Sequence, residues 1–138
     1  IEADHLCECI VIPFQFQQLV QNLISNSLKF SKPDVTPHIQ IKSRIAKGIE
    51  LAHPVLEPSK DYCHITFQDN GIGFDPEFNE QVFGLFQRLH GKTEYPGTGI
   101  GLAICKKIIE NHNGIITASG NPGIGATFNI YIPDLNHK

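Results

Sequence analysis

Asn22, Asn26 and Lys29 recur at spacings of four and three in "NLISNSLKF", residues 22–30. On a helix they form a narrow stripe beside an apolar face of Phe16, Leu19, Val20, Leu23, Ile24 and Phe30. Asparagine is a poor helix former, so two of them in mid-helix ask for a reason. Their amide oxygens can coordinate a hard cation such as Mg²⁺ while Lys29 meets phosphate charge. A pair of amides bonded to a neighbouring loop would leave the same pattern. A second chemical feature is "FQDNGIGF", residues 67–74, in which a strand ends at Asp69 and Gly71 and Gly73 let the backbone turn sharply and approach a flat ligand. A carboxylate there can accept a hydrogen bond from an exocyclic amine such as adenine N6. The alternative is an Asn-Gly hairpin turn, although Gly73-Phe74-Asp75-Pro76 does not read as a returning strand.

The third feature is "YPGTGIGLAICKK", residues 95–107, with Gly97, Gly99 and Gly101 at alternate positions before an apolar helical run. A dinucleotide fingerprint would require glycine in place of Leu102 and a strand directly before Gly97. A P-loop ending in the "GKT" of residues 91–93 would require glycine in place of Phe86. What survives is a glycine-hinged loop that delivers polyphosphate to the N-terminus of the helix from Gly99, where free N–H groups and the helix dipole favour anions.

These features need elements to hold them. Strand patterns run over Glu8–Ile12, His38–Ala46, Tyr62–Gln68, Gly114–Ser119 and Ala126–Ile132, and helical patterns over Phe14–Phe30 and Gly99–Asn111. Gly48, Pro54 and Pro58 mark a surface excursion between Lys47 and Lys60. Between Phe74 and Tyr95 the period is lost, and so long a loop inside a small domain is usually functional or mobile. The economical architecture is an α/β two-layer sandwich, one mixed β-sheet with helices on one face.

Composition narrows the function. The chain has 138 residues, 41% hydrophobic and 18% charged, which fits one domain with a real core. A net charge of -3 with no basic run excludes a nucleic-acid surface. No apolar stretch approaches the roughly 18 residues of a spanning helix, and no positively charged signal segment opens the chain. Cys7, Cys9, Cys63 and Cys105 have no CxxC spacing, which points to a reducing cytoplasm. Cys7 and Cys9, with His5 before them, could hold a metal, but alternate positions in a strand more simply put two small residues on one face.

Together the motifs resemble a known family. "NLISNSLKF" resembles the N box of the ATP-binding domain of sensor histidine kinases, "DNGIGF" its first glycine box, "VFGLFQRLH" its F box and "GTGIGLAI" its second glycine box. "GIGATFNIYIP", residues 123–133, is similar to its last glycine-containing strand pair. The likeness runs from about Cys9 to Pro133, and four boxes in order are far more specific than any one of them. "FQRLHGKTEYPGTGIGLAICKKI" is particularly similar to kinases of the phytochrome-like and multi-sensor type.

This resemblance implies the Bergerat ATP-binding fold with a mobile ATP lid, a fold shared with gyrase, mismatch-repair ATPases and a heat-shock chaperone. It implies ATP and Mg²⁺ as cofactors, with Asn26 as the metal ligand, Asn22 and Lys29 facing the phosphates and Phe30 against the adenine. Asp69 would take adenine N6, with Gly71 and Gly73 shaping its pocket. Gly97, Thr98, Gly99, Gly101 and Leu102 would wrap the phosphates, Phe83 and Phe86 would anchor the lid, and Thr127 would support the adenine side. The segment from about Gln87 to Pro96 is expected to be poorly ordered without nucleotide.

The departures also matter. Ser27 stands where the family usually has alanine, a change expected to be tolerated. None of the seven histidines lies in the H-E-[LI]-[RK]-[NT]-P context of the phosphoacceptor helix. The chain is therefore expected to contain no catalytic residue of its own, and residues 1–138 to be a single ATP-binding catalytic domain cut from a larger cytoplasmic or membrane-attached kinase. Expected partners are the histidine-bearing dimerisation helices of the same kinase, a homodimer, and the receiver domain of a response regulator. Two alternatives stand beside this. One is an ATP-hydrolysing machine of the gyrase or chaperone class, which Asn22 disfavours because those proteins place a glutamate base there. The other is a non-catalytic nucleotide-binding module.

Overall fold

A helix from Pro13 to Lys29, α1, begins where proline costs nothing, since the first N–H groups of a helix have no partner within it. In this computed structural model residues 2–3, 12–51, 56–76, 83 and 98–133 are described, with backbone alone at 2–3 and 98–100. The remaining elements are β1 (Glu2–Ala3), β2 (Ile39–Lys47), the short helix α2 (Gly48–Leu51), β3 (Asp61–Asp69), α3 (Thr98–Asn111), β4 (Ile115–Asn121) and β5 (Gly125–Pro133). One sheet has the order β1-β2-β3-β5-β4; β1 runs parallel to β2 and the other neighbours are antiparallel. The expected strand over Glu8–Ile12 lies outside the described residues except for Ile12, which is the N-cap of α1.

Burial follows from alternation. Along β5, Ala126, Phe128, Ile130 and Ile132 point into the core while Thr127, Asn129 and Tyr131 point away. Phe67 from β3, Ile39 from β2, and Ile116 and Ala118 from β4 complete the inner face. Against it lie Leu19 and Leu23 of α1 and Leu102, Cys105, Ile108 and Ile109 of α3. The outer face is polar, and on it the His64 ring stacks on Tyr131 at 4.5 Å between centroids while His64 Nε2 lies 3.0 Å from Asn129 Oδ1.

His112, just past the end of α3, ties the start of α1 to that helix. The Ile12 N–H donates to His112 Nε2 at 2.8 Å, and His112 Nδ1 meets the Ile108 carbonyl at 2.8 Å. This sets the neutral tautomer, with the proton on Nδ1. The helix then ends in a Schellman turn: Asn113 takes φ 60°, Gly114 N–H bonds to the Ile109 carbonyl and Asn113 N–H to that of Glu110.

The cysteines differ from the uniformly reduced set expected. Cys63, buried in β3, is disulfide-bonded, a pairing that local spacing cannot reveal. Cys105 is a free thiol with no exposed surface. Burial pushes it up from 9.0 to about 12, opposed in part by the Asn22 amide. The unfolded chain thus releases a proton above its own pKa that the native state retains. The stability from this group is whole below pH 9.0 and is lost as pH rises through about 12, at no more than about 1.4 kcal/mol per pH unit. Denaturant unfolding at neutral and alkaline pH should show Cys105→Ala losing less stability across that window than the parent chain. Equal losses would assign the alkaline effect to other groups.

No described helix is long and apolar enough to cross a membrane.

Candidate functional site

Asp69 ends β3 on the inner side of the sheet, and its carboxylate is held from three directions. Oδ1 accepts the Gly71 N–H at 2.9 Å and the Ala126 N–H at 3.1 Å, and Oδ2 accepts the Ser27 hydroxyl at 3.0 Å. The donors come from the loop after β3, the start of β5 and the last turns of α1. Ser27 reaches Asp69 because it continues the i, i+4 stripe of Leu19 and Leu23, and only 3% of it is exposed.

The loop after Asp69 is set by close backbone approach. A Cβ at Gly71 would land on the Phe30 carbonyl, which already accepts the Ile72 N–H at 2.9 Å. Gly73 has φ 69°, and a Cβ there would meet the carbonyls of Asn121 and Gly125. Both glycines therefore seat the loop against α1 and the β4–β5 turn; the space their missing Cβ atoms leave is filled by protein backbone and not open to a ligand. Asn70, which sequence reading saw only as half of an Asn-Gly turn, clamps the segment before β2. Its Oδ1 accepts the His38 N–H at 2.7 Å and its Nδ2 donates to the Thr36 carbonyl at 3.1 Å.

The asparagine stripe of α1 borders the same region. Asn22 Nδ2 is buried and makes no close hydrogen bond among the described residues; what it has beside it is the Cys105 thiol, on which its amide acts against the upward push of burial. Asn26 is partly exposed and makes no side-chain hydrogen bond to another described residue. Lys29 is exposed in the last turn, and Phe30 caps the helix, its N–H bonded to the Asn26 carbonyl at 3.1 Å.

The second glycine run is described only in part. Gly97 and Phe86 lie outside the described residues, as does the whole of 87–96, the expected lid. Thr98 and Gly99 form the first turn of α3, so their N–H groups have no partner within the helix. Gly101 differs from Gly71 and Gly73: among the described residues a Cβ there would meet nothing within 4 Å. A helix interior pays about 1 kcal/mol for glycine over alanine, so open space at this position asks for an external reason. Leu102 is 3% exposed and packs in the core, leaving only its backbone able to face phosphate. Phe83 is buried edge-on against Phe128, at 6.2 Å and 71°.

Thr127 lies one position along β5 from the residue whose amide reaches Asp69. It pairs with Gln68, one residue before Asp69, and so shares the outer face with Gln68 and not the inner face where Asp69 meets Ser27. The β5 group that reaches the carboxylate is the Ala126 amide. Thr127 and Asp69 both line, with His38, Gln40, Gln68 and Asn121, a cavity of about 270 Å³.

A family profile described as histidine kinase-, DNA gyrase B- and HSP90-like ATPase matches residues 12–136. The chain is 44% identical over 133 residues to phytochrome-like protein Cph1 of Synechocystis sp., covering 96% of this chain and 16% of that protein. It is 45% identical over 119 residues to cyanobacterial phytochrome A of Nostoc sp., covering 86% of this chain and 14% of that protein. The chain thus spans about a sixth or less of these relatives' length. Among solved structures, the fold matches the mycobacterial sensor histidine kinase MprB with a TM-score of 0.71 at 22% identity, over 96% of this chain and 79% of that one. It also matches the catalytic domain of histidine kinase ThkA with a TM-score of 0.67 at 25% identity, over 96% and 76%.

Proposed function

This chain belongs to the histidine kinase-, DNA gyrase B- and HSP90-like ATPase family, and we propose that it binds Mg-ATP and presents the γ-phosphoryl group to a histidine on a separate dimerisation domain. The observation that carries the reading is the Asp69 carboxylate, held by three donors and left with room to accept one more. The residues present fit the rest of the ligand: Asn22 carries a buried amide with no close hydrogen bond among the described residues, and Gly101 in the second turn of α3 has no described atom where its Cβ would go.

In this reading Asp69 accepts adenine N6 and the Phe30 ring lies beside the base. The N–H groups from Gly97 to Leu102 take the phosphates at the N-terminus of α3, and Asn22 Nδ2 and Lys29 supply further donors. The Asn26 oxygen would hold Mg²⁺, which would supply charge neutralisation for the phosphates. The protein's contribution is orientation, because a neutral imidazole is already a nucleophile near pH 7. Residues 1–138 act as one catalytic domain of a homodimeric kinase whose receiver partner takes the phosphate onward. A cytoplasmic setting is part of this proposal.

Radiolabelled ATP tests the reading with the chain alone, with the chain plus the dimerisation helices of its parent kinase, and with those helices lacking the acceptor histidine. Each is run with Mg²⁺ and with EDTA. Label should appear only in the second sample and only with Mg²⁺. Sustained phosphate release by the chain alone would assign it to the ATP-hydrolysing class. Silence throughout, with ATP bound, would make it a non-catalytic module.

A further inference from the structure

Alanine at position 27 would fill the Leu19–Leu23 stripe with no polar atom, yet this chain places a hydroxyl there, 3% exposed, and that hydroxyl donates to Asp69 Oδ2 at 3.0 Å. We propose that Ser27 is a positioning residue that sets the base selectivity of the site by fixing the Asp69 carboxylate. The proposal rests on the reading that Asp69 accepts the exocyclic amine of adenine.

A carboxylate offers about four lone-pair positions. Two on Oδ1 are taken by the N–H groups of Gly71 and Ala126, and one on Oδ2 by Ser27. The two backbone donors pin Oδ1 to the loop and to β5. The hydroxyl, arriving from α1, fixes the remaining freedom, the rotation that carries Oδ2. Among the described residues a single acceptor position is left, aimed in one direction. An amine at the 6-position of a purine fills it, whereas a carbonyl there sets oxygen against oxygen.

Removing the hydroxyl opens a second position on Oδ2. Water can occupy it, and a water donates to a base carbonyl as readily as it accepts from an amine. The discrimination therefore weakens even though the carboxylate is still present. A role confined to satisfying a half-buried charge would instead weaken every nucleotide alike.

The test titrates the 138-residue chain with ATP, with inosine triphosphate, which has a carbonyl at the 6-position, and with purine riboside triphosphate, which has only hydrogen there. The parent chain should prefer ATP over both. Ser27→Ala should reduce that preference about tenfold, the lower end for a bond to a charged group, while the affinity for purine riboside triphosphate stays unchanged. Ser27→Thr, which keeps the hydroxyl, should restore the preference. Equal weakening of all three ligands by Ser27→Ala, or an intact preference, overturns the role of Ser27 and leaves the adenine reading standing. A parent chain with no preference for ATP overturns the adenine reading beneath it.

Discussion

Asp69→Asn is expected to weaken ATP binding about 10- to 150-fold, equivalent to roughly 1.5 to 3 kcal/mol for a hydrogen bond to a charged group. The amide has the shape of the carboxylate, and the surrounding donors decide how it turns. Its oxygen must face the two N–H groups of Gly71 and Ala126, because an NH₂ group there would set donor against donor. The NH₂ then takes the place of Oδ2. Ser27 can accommodate it by accepting where it donated, so the fold survives with little loss. The ligand cannot adapt in this way, since an adenine amine would now meet another donor. A base with a carbonyl at the same position would meet a suitable one, so the order of ATP and inosine triphosphate should invert or collapse. Titration calorimetry, with a thermal melt as control for folding, reads both effects. ATP affinity unchanged from the parent chain would remove Asp69 from base recognition.

Periodicity was enough to place most of the elements. Helix α1 begins and ends within one residue of its pattern, and β2 through β5 do so within two. The alternation along β5 matches its burial, because a half-buried sheet writes its two faces directly into the sequence. What stayed hidden depends on partners distant in the chain. The hydroxyl of Ser27 looked like a tolerated substitution because its acceptor lies 42 residues away. Asn70 looked like half of a turn because the carbonyl and N–H it clamps belong to the segment before β2. Thr127 and Ala126 differ by one position, and only the register with β3 tells which of them faces Asp69. Chemistry at the site was legible as residue types, whereas geometry among those residues was not.

The glycines show the same division, and they give the second large prediction. All of them read alike in sequence, as backbone that must approach something bound. In the fold Gly73 sits at φ 69° with two carbonyls of the β4–β5 turn where its Cβ would go, and Gly101 has nothing there. Gly73→Ala should therefore cost about 2 to 5 kcal/mol of stability: roughly 1 to 2 for the left-handed backbone, and the rest for overlap with backbone that cannot swing aside. Much of the stability of a marginal domain would be lost. Gly101→Ala should behave oppositely. In a helix it gains up to about 1 kcal/mol, so the domain should melt at the same temperature or higher. Its methyl group would project into the space proposed for phosphate, and ATP affinity should fall by about tenfold or more, the loss of at least one charge-assisted contact. Paired melting and titration of the two variants separates glycine that builds the loop from glycine that admits the ligand. If Gly101→Ala keeps full ATP affinity, the phosphates do not pass over this turn of α3. If Gly73→Ala is as stable as the parent chain, the loop after Asp69 is not seated by the contacts described.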